Sequence, residues 1–250
     1  MTNSAYDIDA IPNFATLPKA IHEADEMFNA ARALLPTAGE PWRYYFHSGW
    51  LMTSRMETFL RQINRPPEER TLLDFACGYG RLTRYFARTF KSVTCSDLEQ
   101  SMLDFNRKHH GCDGFRSQLD PEAVEWPATK FDVVFSFSLF THLPPESWAT
   151  WFWSLFDTVK TDGLFIITTR PVSMAARGKE VIGSGDLITY TLRNETRGRI
   201  PLENYGSTTL RTKFIDDVVY SQPDRIERVA MFPAGTMDQY QDTHVFKRIS

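Results

Sequence analysis

The sequence predicts an α/β fold in which helices cover both faces of a doubly wound, mostly parallel sheet. Three observations support this prediction. Apolar runs alternate with amphipathic segments from Thr71 onward, which is typical of βαβ units. Runs such as GLFIITTR are apolar on both faces, as expected of strands buried inside a parallel sheet. A turn rich in small residues, ACGYG at 76–80, follows the first of these strands.

Residues 1–66 are predicted to form a helical region in front of the sheet. The segment 17–36 carries apolar residues at helical spacing and ends at a proline. A second helix is predicted over 44–63, with a break at Ser48-Gly49. The charged, proline-containing stretch NRPPEER then connects this region to the first strand.

The core elements follow in alternation. Strands are predicted at 71–76, 91–97, 114–119, 131–140 and 163–170, and helices at 80–90, 99–110 and 144–160. In the last helix Trp148, Trp151 and Phe152 recur at three-and-four spacing, which predicts a face packed on the sheet. Trp153 lies off that face and is a candidate contact in a homodimer.

The alternation stops at 171–212, a glycine-containing segment that we interpret as an insertion above the sheet, with strands at LITYTL and GSTTL. A helix at TKFIDDVVYS and two late strands, RIERVAMFP and QDTHVFKRI, complete the chain. The predicted organisation is a helical lid at 1–66 and a domain at 67–250 that carries the insertion.

Composition excludes several classes of protein. The net charge is −3, without a long run of Lys and Arg, so no nucleic-acid footprint is expected. No apolar run reaches the roughly 18 residues needed to cross a membrane, and no signal-peptide pattern opens the chain. The three cysteines have no metal-ligand spacing, and they predict reduced thiols, no metal site and a cytoplasmic protein. His109-His110 ends a predicted helix, where the dipole favours a cation.

The residue types from Asp74 to Gly80 favour binding of a ligand at this turn. Small residues at 76, 78 and 80 allow a tight turn and close approach of a ligand to the backbone. The helix that follows presents N–H groups and the positive end of its dipole. The acid at Asp74 suits a ligand that also carries positive charge.

Asp74-Phe-Ala-Cys-Gly78-Tyr-Gly80 resembles the first motif of class I S-adenosylmethionine-dependent methyltransferases, acid-x-Gly-x-Gly-x-Gly, with Ala76 where the first Gly is usual. Asp97, which ends the second strand, and the strand FDVVFSFSLF agree with that family's pattern. The resemblance implies a Rossmann-like sheet of seven strands with an antiparallel hairpin at one edge. It also implies an N-terminal helical lid and S-adenosylmethionine as the cofactor, with S-adenosylhomocysteine as its product.

The resemblance further implies which residues contact the cofactor. Asp97 would accept both ribose hydroxyls, with capping of the next helix as the alternative, and Phe137 would offer its backbone carbonyl. The full set of implied contacts is Asp74, Ala76, Cys77, Gly78, Gly80, Asp97, Leu98, Leu119 and Phe137.

Methyl transfer requires in-line positioning and, for a hydroxyl or ammonium acceptor, removal of a proton. His142 directly follows the fourth strand and is the candidate base, with helix capping or packing under the loop as the alternative. Tyr45, His47 and Arg170 are candidate substrate contacts. Packing of the lid is the alternative for the first two, and a structural role is the alternative for Arg170.

The predicted function is methyl transfer to an O or N atom of a small molecule, such as a sugar or another metabolite. One alternative is an NAD-dependent oxidoreductase, although Thr83 stands where a dinucleotide-binding turn prefers its third Gly. The other is a methyltransferase-like subunit that binds the cofactor without turnover.

Overall fold

The computed structural model describes residues 6–35, 37, 39–178, 180, 182–192 and 199–250. Parts of the predicted lid, at 1–5, and of the predicted insertion, at 193–198, lie outside these ranges. The helices are α1 (Glu26–Leu34), α2 (Glu40–Gln62), α3 (Thr83–Thr89), α4 (Gln100–His110), α5 (Pro145–Phe156), α6 (Val172–Arg177) and α7 (Thr212–Val219). The strands are β1 (Thr71–Phe75), β2 (Ser92–Asp97), β3 (Gly114–Arg116), β4 (Phe131–Ser136), β5 (Val159–Thr169), β6 (Ile188–Thr191), β7 (Ser207–Leu210), β8 (Ile226–Phe232) and β9 (Asp242–Arg248).

Seven strands form one sheet in the order β3-β2-β1-β4-β5-β9-β8. The pairs β2·β3, β1·β4 and β4·β5 are parallel, whereas β9 runs antiparallel to both β5 and β8. This confirms the predicted doubly wound sheet and its antiparallel edge hairpin. The two strands predicted in the insertion are also confirmed, since β6 and β7 form a separate antiparallel pair.

The chain divides into two compact units. The first comprises the described residues of Met1–Thr71 together with Cys77–Arg116, and the second comprises Leu72–Ala76 and Ser117–Ser250. The predicted boundary between a lid and a catalytic domain stays a prediction. No helix within the described ranges combines the length and apolar character that a bilayer crossing requires.

In the first unit, the predicted helix at 17–36 is helical only from Glu26. The preceding segment is not helical and makes a turn in which the Asp25 N–H donates to the His22 carbonyl at 3.0 Å. Asp25 caps α1, because its Oδ1 accepts a hydrogen bond from the Phe28 N–H at 3.0 Å. The Arg84 guanidinium holds that non-helical segment by donating to the carbonyls of Pro18 (3.0 Å) and Ala20 (3.3 Å). These tertiary bonds use carbonyls that a helix would have needed, and they explain why helical spacing alone gave the wrong start.

The break predicted at Ser48-Gly49 is also wrong, because α2 runs unbroken through both residues. A Cβ atom added at Gly49 would lie 2.8 Å from the Arg81 carbonyl oxygen and 3.1 Å from the Tyr85 ring. Gly49 is therefore a point of close helix contact rather than the end of a helix.

In the second unit, α5 packs as its spacing predicts. Trp148, Phe152 and Phe156 are fully buried, and the Phe152 ring meets Phe165 and Phe246 at 5.2 and 5.4 Å between centroids. A neighbouring aromatic off this face, Trp153, is covered by the Arg225 guanidinium at 5.3 Å. The aromatic string of α5 is thus part of the core, and a homodimer contact at Trp153 stays a prediction.

Candidate functional site

The turn after β1 uses three residues in the left-handed backbone region. Ala76 has φ 61°, Gly78 has φ 54° and Gly80 has φ 76°. Glycine adopts this region without steric cost, whereas an L-residue pays roughly 1 kcal/mol or more. The turn therefore needs small residues for its geometry, and Ala76 occupies a position at which glycine would be less strained.

Asp97 is fixed against this turn. Its Oδ2 accepts a hydrogen bond from the Gly78 N–H at 2.7 Å, and its Oδ1 accepts one from the Leu98 N–H at 2.7 Å. The Cys77 N–H also donates to the Ser96 carbonyl at 3.2 Å. The two bonds orient the Asp97 carboxylate beside Gly78, and a carboxylate oxygen can in general accept more than one hydrogen bond.

Side chains of helix α4 contact the turn at Gly78 and Gly80. The Asn106 side chain donates to the carbonyls of Gly78 and Met102, each at 2.8 Å. A Cβ atom at Gly80 would lie 2.3 Å from Asn106 Oδ1 and 2.6 Å from the His110 ring. By contrast, apart from Gly78 itself and its two chain neighbours, no atom of the described chain lies within 4 Å of a Cβ atom built at Gly78. One glycine is therefore required for packing, and the other faces open space.

His110 was predicted only as a cation at a helix end, and that interpretation is wrong. Burial, helped by the Arg84 charge, lowers the pKa of the ring to about 3, so it is neutral near pH 7. Sequence reasoning missed Asn106 and His110 as supports of the turn. The signal for them was their spacing of four residues on the helix that follows Asp97.

The N-terminal extension contacts the same turn from another side. The imidazole of His22 stacks on the Tyr79 ring, and Ala20 and Ala24 pack beside it against Met102 and Phe105. This contact was not predicted, because His22 lies in the segment that the sequence pattern assigned to a helix.

Two predicted substrate contacts lie in the first unit. Tyr45 is 1% exposed, its hydroxyl donates to Asp25 Oδ2 at 2.5 Å and accepts from Arg84 at 3.3 Å, and burial raises its pKa. The His47 ring is half-buried, 6.2 Å from the Tyr6 ring between centroids, and burial lowers its pKa. The lid-packing alternative describes the surroundings of Tyr45 well, and a substrate contact by either residue stays a prediction.

In the second unit, the end of β4 is pinned to its neighbours in the sheet. Ser138, which follows Phe137, has φ 66°, and its N–H donates to Thr168 Oγ1 at 2.8 Å. The Gln241 amide donates to the Ser138 hydroxyl at 2.5 Å. The backbone around Phe137 is thus fixed from both β5 and the loop before β9. Two further predicted contacts in this unit differ in exposure, since Asp74 is buried and Leu119 is 41% exposed.

His142 is held in one orientation by the segment that enters β7. Its Nδ1 lies 2.8 Å from the Gly206 carbonyl oxygen, and the Gly206 N–H donates to the His142 carbonyl at 3.0 Å. Because a carbonyl only accepts, Nδ1 carries the proton, and Nε2 is the basic nitrogen of the neutral ring. The ring also stacks on Tyr205 with 4.2 Å between centroids.

Arg170 forms a bidentate ion pair with Glu180, at 2.7 and 2.8 Å, and donates to Thr209 Oγ1 at 2.6 Å. These bonds match the structural alternative for Arg170, and its role as a substrate contact stays a prediction. Among the described residues, no group of three or more His, Cys, Asp or Glu side chains could hold a metal ion.

Comparison with known proteins gives a consistent result. Residues 72–163 match the family model described as a methyltransferase domain. A mitochondrial ubiquinone biosynthesis O-methyltransferase of Schizosaccharomyces pombe is 27% identical over 161 residues, which cover 61% of this chain and 54% of that protein. A probable fatty acid methyltransferase of Pseudomonas putida is 28% identical over 125 residues, covering 47% of this chain and 31% of that protein. The chain thus spans about half and about a third of the length of these two relatives.

Solved structures share the fold at low sequence identity. A S-adenosylmethionine-dependent methyltransferase from Clostridium acetobutylicum has a TM-score of 0.61 and 15% identity, with 88% of this chain and 97% of that chain covered. Magnesium protoporphyrin IX methyltransferase from Synechocystis, solved with bound S-adenosylhomocysteine, has a TM-score of 0.58 and 13% identity, with 82% and 86% covered.

Proposed function

We propose that the chain is a class I S-adenosylmethionine-dependent methyltransferase and that it methylates an O or N atom of a small molecule. The match of residues 72–163 to a methyltransferase domain family supports this proposal. In this reaction a bond forms between the acceptor atom and the methyl carbon while the carbon–sulfur bond breaks. The products are the methylated acceptor, S-adenosylhomocysteine and, for a hydroxyl or ammonium acceptor, one proton. The cofactor, when bound, supplies the electrophilic methyl group.

The observation that carries the proposal is the pairing of Gly78 with Asp97. The N–H of Gly78 orients the Asp97 carboxylate at 2.7 Å, and the open space above Gly78 admits a ligand against the backbone. A ribose presents two neighbouring hydroxyl donors, and a fixed carboxylate can accept both. The residues of this turn therefore fit the nucleoside part of the cofactor.

The remaining residues predicted from the motif belong to the same proposal. They are Asp74, Ala76, Cys77, Gly80, Leu98, Leu119 and Phe137 for the cofactor, and Tyr45, His47 and Arg170 for the acceptor.

His142 is the proposed general base. The bond between its Nδ1–H and the Gly206 carbonyl selects the tautomer whose Nε2 accepts a proton. A base held in a fixed orientation in the segment between β4 and α5 would remove the acceptor proton as the methyl group arrives. The proposed acceptor is a small molecule rather than a nucleic acid, in keeping with the net charge of −3. A homodimer and a cytoplasmic location, both predicted from the sequence, are further parts of this proposal.

Calorimetric titration of the purified protein with S-adenosylmethionine, S-adenosylhomocysteine and NAD tests the cofactor assignment. We expect both sulfur nucleosides to bind and NAD not to bind; the reverse result would identify an oxidoreductase. Incubation with a panel of hydroxyl- and amine-bearing metabolites, followed by mass spectrometry, then tests turnover. Binding of S-adenosylhomocysteine without any methylated product would point to a subunit that binds the cofactor without catalysis.

A further inference from the structure

A cavity of about 300 Å³ lies in the second unit, at the end of β5 and the start of β9. The first residues of α6 and α7 also line it. Its polar lining residues are Ser173, Arg211, Thr212, Asp242 and His244. None of the residues predicted from the sequence as site residues borders this cavity. Its volume is several times the ~30 Å³ that one water molecule occupies in the liquid, so a small organic molecule fits.

The hydrogen bonding of the His244 side chain supports the presence of a ligand in this cavity. The side chain is 1% exposed, and its Nε2 lies 3.0 Å from Thr169 Oγ1. Its Nδ1 is shielded from solvent and has no hydrogen-bond partner within the described part of the chain. Buried polar atoms nearly always have a partner, so an unpaired nitrogen beside a cavity indicates a partner that the chain does not supply.

The ring of His244 is neutral under ordinary conditions. Burial, with a contribution from the Arg228 charge, lowers its pKa to about 3. If the Thr169 hydroxyl donates to Nε2, the ring proton is on Nδ1, which can then donate a hydrogen bond to a ligand hydroxyl. If the Thr169 hydroxyl accepts from Nε2–H, Nδ1 carries a lone pair and can accept a hydrogen bond from a ligand hydroxyl. Both arrangements suit a hydroxyl, which donates and accepts.

Asp242 adds an acceptor next to this ring. It lies two residues before His244 on β9, and therefore on the same face of the sheet. It is 8% exposed, its Oδ1 accepts from the Ala234 N–H at 2.8 Å, and burial raises its pKa. A buried carboxylate is stabilised by further hydrogen-bond donors, which a polyhydroxylated ligand provides.

The rest of the lining argues against a charged ligand. The carboxylate of Asp242 would repel an anion. Arg211, the basic residue of the lining, donates from its guanidinium to the carbonyls of Asp186 (2.9 Å) and Gly183 (3.0 Å), and its charge disfavours a cation. Leu210 and Ile215 give the cavity an apolar wall, on which the C–H face of a ring can lie.

We propose that this cavity binds a neutral, hydroxyl-bearing small molecule through Asp242 and His244. Its link to the proposed cofactor site is Gln241, the residue before Asp242, which donates to Ser138. Ser138 directly follows the predicted cofactor contact Phe137.

The test uses the whole protein with isotopically labelled histidine, observed by NMR. Myo-inositol and methyl β-D-glucopyranoside are the neutral probes, and propylammonium and propionate are the charged ones. The His244 resonance is identified from its loss in His244→Gln or, if that variant does not fold, by through-bond connection to its own amide.

We expect a saturable shift of the His244 resonance with at least one neutral probe and with neither charged probe. In Asp242→Asn the affinity for that probe should fall at least tenfold. Thr243→Val is the matched control, because Thr243 lies on the opposite face of β9 and should leave the affinity unchanged.

Absence of a shift with both neutral probes would mean that the cavity holds only water, and a shift with a charged probe alone would overturn the ligand class. Calorimetry with S-adenosylhomocysteine on the same sample separates the two proposals. If S-adenosylhomocysteine binds and the polyols do not, the pocket assignment fails while methyl transfer stands. If a polyol binds and S-adenosylhomocysteine does not, methyl transfer fails while the pocket assignment stands.

Discussion

The imidazole ring of His22 lies parallel to the phenol ring of Tyr79, with 4.1 Å between ring centroids and 2° between ring planes. Tyr79 stands between the two glycines of the turn after β1, and its hydroxyl lies 3.2 Å from Ser101 Oγ. The non-helical segment before α1 is therefore packed directly on the turn that we assign to the cofactor. We expect loss of this contact to change the shape of that turn.

His22→Ala should remove the stack and lower the free energy of unfolding by about 1 kcal/mol. It should also weaken binding of S-adenosylhomocysteine, because Tyr79 loses its support. Urea unfolding and calorimetry measure the two effects. Glu23→Ala, an exposed change in the same segment, is the control, and His22→Phe should keep most of the stacking. Wild-type affinity in His22→Ala would show that the extension does not support the turn.

The two glycines of the turn should respond differently to the same added methyl group. Gly80→Ala places its Cβ within 2.3 Å of Asn106 Oδ1 at φ 76°, so we expect it to destabilise the fold by more than about 2 kcal/mol. Gly78→Ala meets no neighbour and should cost only about 1 kcal/mol of backbone strain.

For ligand affinity we expect the opposite ranking, with the larger loss in Gly78→Ala. The methyl group of Gly78→Ala enters the space assigned to the cofactor, so this folded variant should bind S-adenosylhomocysteine much more weakly. Thermal melting followed by calorimetry on both variants makes the comparison. Full affinity in Gly78→Ala would place the nucleoside elsewhere.

Asp97→Ala should weaken cofactor binding by about 1–3 kcal/mol, because two charge-assisted hydrogen bonds to the ribose would be lost. The Gly78 N–H would also lose its acceptor. Asp97→Asn keeps one carbonyl oxygen as an acceptor and should be intermediate. Calorimetry of the three proteins gives the ranking, and equal affinities would remove Asp97 from the site.

The sheet and its packing could be predicted because they depend on patterns that repeat along the chain. The strand β5 is apolar on both faces because both faces are buried, and α5 shows its core face through Trp148, Trp151 and Phe152. The motif at 74–80 could be read because left-handed turns restrict which residues are allowed.

The details that sequence reasoning missed depend on contacts between distant parts of the chain. The non-helical course of 17–25 is set by hydrogen bonds from Arg84, more than sixty residues from the carbonyls that it contacts. Gly49 is small because it meets the Arg81 backbone. The neutrality of His110 comes from burial rather than from its place at a helix end. No periodicity or local motif encodes such effects.

The buried histidine His244 should make stability depend on pH. Its folded-state pKa of about 3 is below the value of about 6.5 expected in the unfolded chain, so the unfolded state binds more protons between these values. Its contribution to stability is fully present above about pH 6.5 and is lost progressively as the pH falls toward 3.

His244→Gln should therefore flatten the pH dependence of stability by at most about 1.4 kcal/mol per pH unit in that window. Urea unfolding at several values from pH 4.5 to pH 7 measures the slope. His109→Gln, which removes a much less buried histidine, should change the slope far less. Parallel curves for wild type and His244→Gln would mean that His244 titrates normally in the folded protein.

His142 carries the last prediction. If its Nε2 removes the acceptor proton, His142→Ala should lower kcat by about 10²–10⁴ with the acceptor that the mass-spectrometric panel identifies. Affinity for S-adenosylhomocysteine should stay unchanged. Tyr205→Leu, which removes the ring stacked 4.2 Å away, should cause a smaller loss by loosening the imidazole, whereas Tyr205→Phe keeps the stack and serves as its control. Full turnover in His142→Ala would mean that in-line positioning of acceptor and methyl group suffices, and that the bond from Nδ1–H to Gly206 serves only to hold the segment before β7.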